Sequence, residues 1–535
     1  MNSMIFNPLE EFESKFKDLH FNNTTNFFNE LVKASGVNIE ENRRTVKEYV
    51  TLKEDLTKIK RRYNLWRVLR VVMIITLILI PLVIMKITPK IKALRAEIQE
   101  SDQKLQVLYT QAMKQMAPLN NLFTDRDALK IIEDTIPMLS FASCLSVEQE
   151  ANMIINFDFR INENDEQSTL DILAGHYNEN PFLFETKRLH NMGVEVYHGY
   201  KTIYWTETYC DSDGKTRTRT RSETLHATVT KPKPYYSKRV ILNYCAQGGP
   251  DLSFTRDATH LERKNEKEID KYIKKGEKKL KKKTDKAIKK NQSFTSMSNT
   301  DFEVLFDALD RTDEVQFRTL FTPLAQTNMV SLIRSQTGYG DDFNFIKHKR
   351  TNKIISQHSQ GRNITLGPSA YRSFSFDTIK ENFLTQNTLF FKDVYFDFAP
   401  LWAIPIYQER PIHSLKPIPD YDQKYSYKMY ESLSNKINPE YVVHPRTQTP
   451  AILKTSFISS KNDIDEISVS AYSYDIIPRI DFVMVHGGDG HWHSVPVPWN
   501  DYIPLQETKT FFVSTKDLAD TETILAKQNN ICIFN

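Results

Sequence analysis

The stretch Val71–Met85 reads VVMIITLILIPLVIM and holds no charged side chain. With Val68, Leu69 and Ile87 it reaches the roughly 20 residues needed to cross about 30 Å of hydrocarbon. Arg67, Arg70 and Lys86 flank it and can reach towards an interface. Such text also suits a buried core helix, but dense aliphatic residues between basic flanks favour the membrane. The sequence therefore predicts a transmembrane helix over 65–87 and a single-pass protein of the plasma membrane. A cleaved signal peptide begins within the first few residues, whereas this run follows about sixty polar-rich positions. Lys58, Lys60, Arg61, Arg62, Arg67 and Arg70 precede the span, and Lys86, Lys90, Lys92 and Arg95 follow it. The positive-inside rule leans towards an inside N-terminus on that small difference and leaves the side of the large following region open.

Both flanks carry a helical stripe. Tyr49, Leu52, Leu56, Ile59, Tyr63 and Trp66 recur in steps of three and four, as do Ile91, Leu94, Ile98, Leu105, Leu108 and Ala112, with Ser101 filling a gap. Two readings follow: a homo-oligomer joined through heptad helices, or each stripe packed on the chain's own domain. Pro81 and Pro89 are expected to kink the rod. The 535 residues exceed one compact core, and 32 Phe with 24 Tyr argue against wholesale disorder. Frequent Lys, Asn, Ile and Phe fit an AT-rich bacterial genome. Cys144, Cys210, Cys245 and Cys532 form no CxxC, so buried thiols are favoured, with a Cys210–Cys245 bridge as the alternative.

From about Met153 strands dominate. Val194–Tyr209 and Lys215–Thr230 read as a hairpin closed by Asp211-Ser212-Asp213-Gly214. Arg217, Arg219 and Arg221 alternate with threonines, which puts three guanidiniums on one face, as an anion-binding stripe or a solvated sheet face. Arg263–Lys290 reads as a helix with fourteen Lys and Arg against five Asp and Glu, a local excess of +9 in a chain that carries +4 overall. Helices are expected over Thr300–Leu309 and Glu314–Ile333, the second kinked at Pro323, with strands dominant from Phe343 onward. A Pro-rich crossing then leads to strands at Ile467–Tyr474, Ile480–His486 and His491–Val497.

The expected fold is therefore α+β: one transmembrane helix flanked by heptad-patterned helices, then a β-rich soluble region with an inserted Lys-rich helix. Its segments are an N-terminal helical part (1–64), the span (65–87), a juxtamembrane stalk (88–145), a first β-rich part (146–262), the Lys-rich helix (263–292), a mixed part (293–420) and a C-terminal β-rich part (421–535).

The stretch Asp301-Phe302-Glu303-Val304-Leu305-Phe306 through Glu314-Val315-Gln316-Phe317-Arg318 and Leu320-Phe321-Thr322-Pro323-Leu324 resembles a family of uncharacterised bacterial membrane proteins of the low-GC Gram-positive and mollicute type. The specific match covers residues 300–335, with a looser likeness of layout from about 40 to 400. Many relatives carry two adjacent spans where this reading finds one. The resemblance implies an anchor and a mixed fold, and no catalytic residues.

No Walker loop, Rossmann glycine fingerprint, HExxH or GxSxG occurs, which weakens an enzyme reading without removing triads built from distant residues. The best candidate for chemistry is His486-Gly487-Gly488-Asp489-Gly490-His491-Trp492-His493. A four-residue loop would set His486 opposite His491, with His493 on their face, and three imidazoles there would suit zinc with water or Asp489 as fourth ligand. The alternative is a plain Gly-Gly-Asp-Gly turn with surface histidines. Lys274, Lys275, Lys278, Lys279, Lys281, Lys282 and Lys283 are candidates for contact with a polyanion. The Lys-rich helix is read as a solvated spacer, an anionic-lipid contact or a nucleic-acid contact. Sparse aromatics, Tyr272 apart, make nucleic acid the weakest of these. The preferred function is a membrane-anchored interaction or scaffold protein, and the runner-up is a metal-dependent enzyme at the histidine hairpin.

Overall fold

The computed structural model describes residues 4–75, 83–160, 166–210, 212–290, 296–411, 416–514, 524–527 and 531–534. In chain order it contains α1 (Lys17–Ser35), α2 (Ile39–Ile75), α3 (Thr88–Asn120), α4 (Asp127–Thr135), β1 (Leu139–Phe141), α5 (Val147–Phe157), β2 (Gln167–Tyr177), β3 (Asn180–Cys210), β4 (Thr216–Cys245), β5 (Ser253–Arg256), α6 (Glu266–Lys289), α7 (Thr300–Phe306), α8 (Glu314–Leu320), α9 (Pro323–Arg334), β6 (Phe343–His348), β7 (Thr351–Ser356), α10 (Phe376–Trp402), α11 (Tyr427–Lys436), β8 (Ile452–Lys461), β9 (Ile464–His486), β10 (Trp492–Ser514), β11 (Ile524–Lys527) and β12 (Ile531–Phe534). They fall into two units. One is built from 7–137 and 365–398, the other mainly from 138–364 and 399–535.

The first unit is helical, and aromatic rings fill its core. Phe28, Phe123, Tyr371, Phe376 and Phe383 bury together with Met116, Leu119 and Ile131. Asn42, fully buried on α2, accepts from the Phe376 N–H (3.0 Å) and donates to the Phe374 carbonyl (2.9 Å), which ties α2 to the start of α10. His20 on α1 stacks on Phe391, ring centroids 3.9 Å apart. Its two nitrogens lie 3.1 Å from Thr135 Oγ1 and 3.3 Å from the Asn387 carbonyl.

Helices α2 and α3 run in opposite directions along each other. Asn42 reaches the Ala112 carbonyl, the Tyr49 ring lies tilted 6.3 Å from that of Tyr109, Lys60 pairs with Asp102 at 3.0 Å, and Lys90 sits 4.4 Å over the Trp66 ring. The two heptad stripes bury against one another inside one chain, with Leu56, Ile91, Leu94 and Ala112 among the buried positions.

This arrangement corrects the expected span. Among the described residues no helix is long and apolar enough to cross a membrane. Of 65–87, the first part is the end of α2, residues 76–82 lie outside the described residues, and Val83–Ile87 is a π-helical turn leading into α3. The transmembrane element of the expected fold, the single-pass topology and the plasma-membrane location inferred from it are not supported. Hydropathy measures the length of an uncharged run but not the direction of the chain on either side. Here the two flanks are antiparallel neighbours rather than one continuing rod. Pro89 lies in the first turn of α3, where its missing N–H disrupts nothing.

The second unit holds two sheets, one in the antiparallel order β1-β2-β3-β4-β7-β6-β5, the other in the order β11-β12-β10-β9-β8. In the second, β8, β9 and β10 are antiparallel and β12 joins β10 in parallel. The residues that carry the family resemblance form a core. Phe302, Phe306, Phe317 and Phe321 pack with Phe254 and Phe345 at centroid distances of 4.7–6.4 Å. Beside them Glu303 is fully buried and accepts from Arg311 at 2.6 Å. Pro323 does not kink one helix but opens a new one, with Thr322 accepting from Ala325 N–H as N-cap.

Candidate functional site

The longest strands, β3 and β4, run well beyond the rest of their sheet. β3 and β4 stay paired from Phe182↔Tyr244 out to Cys210↔Thr216, yet β2 accompanies β3 only as far as Leu189, and β7 meets β4 only at Leu242–Cys245. Beyond those points the ribbon has two strands among the described residues. The same holds for β9 and β10 from Ser473↔Leu505 to His486↔Trp492. Prolines mark this change. Pro232, Pro234, Pro478, Pro496, Pro498 and Pro504 all fall where a strand has one ladder neighbour, so the missing N–H can face the open edge.

The two ribbons lie face to face and form an arm. Ile203, Leu225, Ala227, Val495 and Val497 bury between them, flanked by Tyr197, Trp205, Val229, Val483 and Val485. Gly199 is required there, because a Cβ on it would stand 2.2 Å from the Pro496 carbonyl oxygen. Lys231 pairs with Asp481 at 2.7 Å and lies over the Trp499 ring, whose N–H also donates to Asp481 at 2.8 Å. These hydrogen bonds, that of Lys231 first, hold the Asp481 carboxyl below the usual carboxylate range.

Period-two alternation then turns the other face of each ribbon outward. On β9 and β10 this face presents Ile480, Phe482, Met484 and Trp492, at 57, 69, 55 and 64% exposure. On β3 it presents Val194, Val196, Tyr200 and Tyr204, opposite Pro232, Thr230, His226 and Ser222 of β4. Sequence reasoning passed over this surface. A signal was present, since Ile480–Val485 is apolar at both odd and even positions apart from Asp481, so a two-layered ribbon can bury only half of them.

The tip of β9 and β10 differs from the expected histidine hairpin. His486 pairs with Trp492 rather than His491, across a five-residue loop in which Gly487 N–H donates to the His491 carbonyl and Gly490 takes φ +81°. A register shift of one residue turns a side chain to the opposite face. His486 therefore lies outward, edge-on to Trp492, while His493 lies inward, 2.9 Å from the Asp489 carboxylate. His491 is exposed, and its backbone N–H donates to Asp489. The structure thus brings His493 and Asp489 together and separates them from His486. Among the described residues no three His, Cys, Asp or Glu side chains are grouped to hold a metal.

The other sequence candidates take structural places. Arg219 and Arg221 reach Glu207 at 3.3 and 2.5 Å, so a carboxylate sits within the arginine stripe. Cys210 is exposed near the arm's end and Cys245 is buried at its base, 29 positions from the Thr216 that pairs with Cys210, which rules out a bridge between them. The Lys-rich helix α6 starts at a capping box of Asn265 and Glu268 and buries Ile269, Ile273, Leu280 and Ala287. Lys274, Lys275, Lys278, Lys279, Lys281 and Lys282 are exposed, whereas Lys283 is half-buried and donates to the Leu309 carbonyl at 2.6 Å. Inside the fold, Lys428 lies 2.9 Å from Glu185 and 3.7 Å from Glu150. Burial alone would raise the Glu185 carboxyl, but Lys428 and Lys187 outweigh it and leave it at about 2.

No protein-family model, curated protein or solved structure matches this chain. The resemblance carried by residues 300–335 therefore adds nothing to the functional reading.

Proposed function

We propose that this chain is an interaction or scaffold protein that holds another protein against the outer face of its β-arm. The observation that carries the reading is the group Ile480, Phe482, Met484 and Trp492, four large apolar side chains more than half exposed on one face of a ribbon. Scattered apolar residues on a surface need no explanation, but a contiguous group on a rigid element marks a contact surface. The inner face supports this, because burial between the two ribbons and the Lys231–Asp481 pair fix the outer face in place before any partner arrives. A binding surface that is already ordered loses less entropy on association.

A photo-crosslinking residue placed at Phe482, in the full chain in its native cells, tests the proposal. Adducts to a defined protein are expected from Phe482, and the same label at exposed Thr508 on β10 is expected to give none. Met484→Asp combined with Trp492→Asp should abolish the Phe482 adducts while leaving the melting temperature unchanged. Equal labelling from both positions, or adducts that survive the Asp changes, would refute it.

A further inference from the structure

A cavity of about 650 Å³ lies within the second unit, between β3, the end of α11 and the chain that runs on from α11 to β8. Pro439, Pro445 and Pro450 recur in that connection, and each fixes one backbone angle, which limits the shapes the wall can take. Ile437, Val442, Val443, Ala451 and Leu453 make the rest of the lining mostly apolar. One cation enters this apolar setting. Arg188 of β3 is half-buried and donates to the Ala451 carbonyl at 2.8 Å, which fixes the guanidinium and uses one of its five N–H groups. Burial lowers its pKa from the usual value, with Tyr236 pulling the other way. No carboxylate pairs with Arg188 among the described residues, whereas the buried Arg256 and Arg311 face Asp341 and Glu303. Ser434 of α11 belongs to the same wall at 1% exposure, and its hydroxyl has no hydrogen-bond partner among the described residues. A half-buried cation without a counter-charge is a cost that a bound anion offsets, and an orphaned hydroxyl in the same wall is a second polar group without a partner.

We propose that this cavity binds a small monocarboxylic acid with an apolar body, its carboxylate on Arg188 and its body along Ile437, Val442 and Leu453. A planar guanidinium matches a carboxylate through two parallel N–H···O bonds. The volume falls in the range of about 300–1,000 Å³ that small-ligand sites occupy, and mostly apolar walls with few polar groups are their usual make-up. Charge selects against the alternatives. One guanidinium balances one carboxylate, and the exposed Glu440, which also lines the cavity, disfavours a phosphate or a dicarboxylate. An amine or an alcohol of the same shape leaves Arg188 without a counter-charge.

Octanoate titrated into the full chain by calorimetry, below its micellar concentration, should show saturable binding of one molecule per chain. Octan-1-ol and octylammonium should bind at least ~10-fold more weakly, because neither makes the charge-assisted pair. In the wild type, octanoate should slow amide exchange in peptides spanning 442–453 and leave those of 480–492 unchanged, which separates this site from the arm. Arg188→Met should weaken octanoate binding at least ~10-fold. Arg188→Lys keeps the charge but loses the fork, so its loss should be smaller. The exchange result needs no variant and decides alone if either substitution disturbs folding. Equal affinity for the three octyl compounds, protection at 480–492 in place of 442–453, wild-type affinity in Arg188→Met, or no saturable binding at millimolar octanoate would each overturn the proposal.

Discussion

The imidazole of His20 offers a quantitative test of the first unit's core. It is buried between α1 and α10, and burial pushes its pKa from 6.5 down to about 3, against a smaller upward pull from the Asn387 carbonyl. Above pH 6.5 the ring is neutral in both folded and open states, so its contribution does not change with pH. Below 6.5 the open state takes up a proton that the folded core excludes. Stability therefore falls as pH falls, by about 1.36 kcal/mol per unit, until the folded ring itself protonates near 3. Between pH 7 and pH 5 the loss is about 2 kcal/mol, or roughly 30-fold in the opening equilibrium. Hydrogen exchange read on peptides of α1 and α10, corrected for intrinsic rates, reports that opening in the full chain. Protection in the wild type should drop about 30-fold more than in His20→Gln over this range. Parallel pH profiles for the two proteins would refute the assignment of a buried neutral imidazole.

Gly199→Val sets a side chain against the Pro496 carbonyl, so the ribbons should separate and β10 amides near Val495 and Val497 should exchange faster; unchanged exchange would refute the close packing. Arg311→Met leaves the buried Glu303 carboxylate unpaired and should cost about 3–5 kcal/mol, with Glu303→Gln restoring part of it; thermal melting of the single and double variants checks this. Zinc should leave the melting temperature unchanged, since His486 and His493 lie on opposite faces; one bound zinc per chain, lost in His493→Ala, would refute that geometry.

Local patterns were the most legible part of the sequence. The hairpin of β3 and β4 stands where alternation and the Asp-Ser-Asp-Gly turn place it. It is longer at its base because Asn180–Gly193 and Lys231–Cys245 face core or neighbouring strands and alternate less cleanly. α6 begins three residues inside its expected start, at the Asn265 cap. α10 was missed although Phe376, Ile379, Phe383, Phe391, Val394 and Phe398 recur at helical spacing, because Phe, Tyr and Thr in number also suit strands. The return of α3 along α2 depends on which stripe meets which, and no local pattern states that. At the histidine turn, one extra loop residue was enough to part three candidate ligands.

The first unit is assembled from 7–137 and 365–398, which has a consequence during synthesis. Phe28, Met116, Leu119, Phe123 and Ile131 leave the ribosome well before the α10 residues that cover them. About 260 residues separate α4 from the end of that segment, so at 5–20 residues per second the wait is roughly 13–50 s. During that interval the nascent chain carries an open aromatic groove, while the intervening residues have time to fold. A chaperone-binding window should open after α4 and close once α10 has emerged.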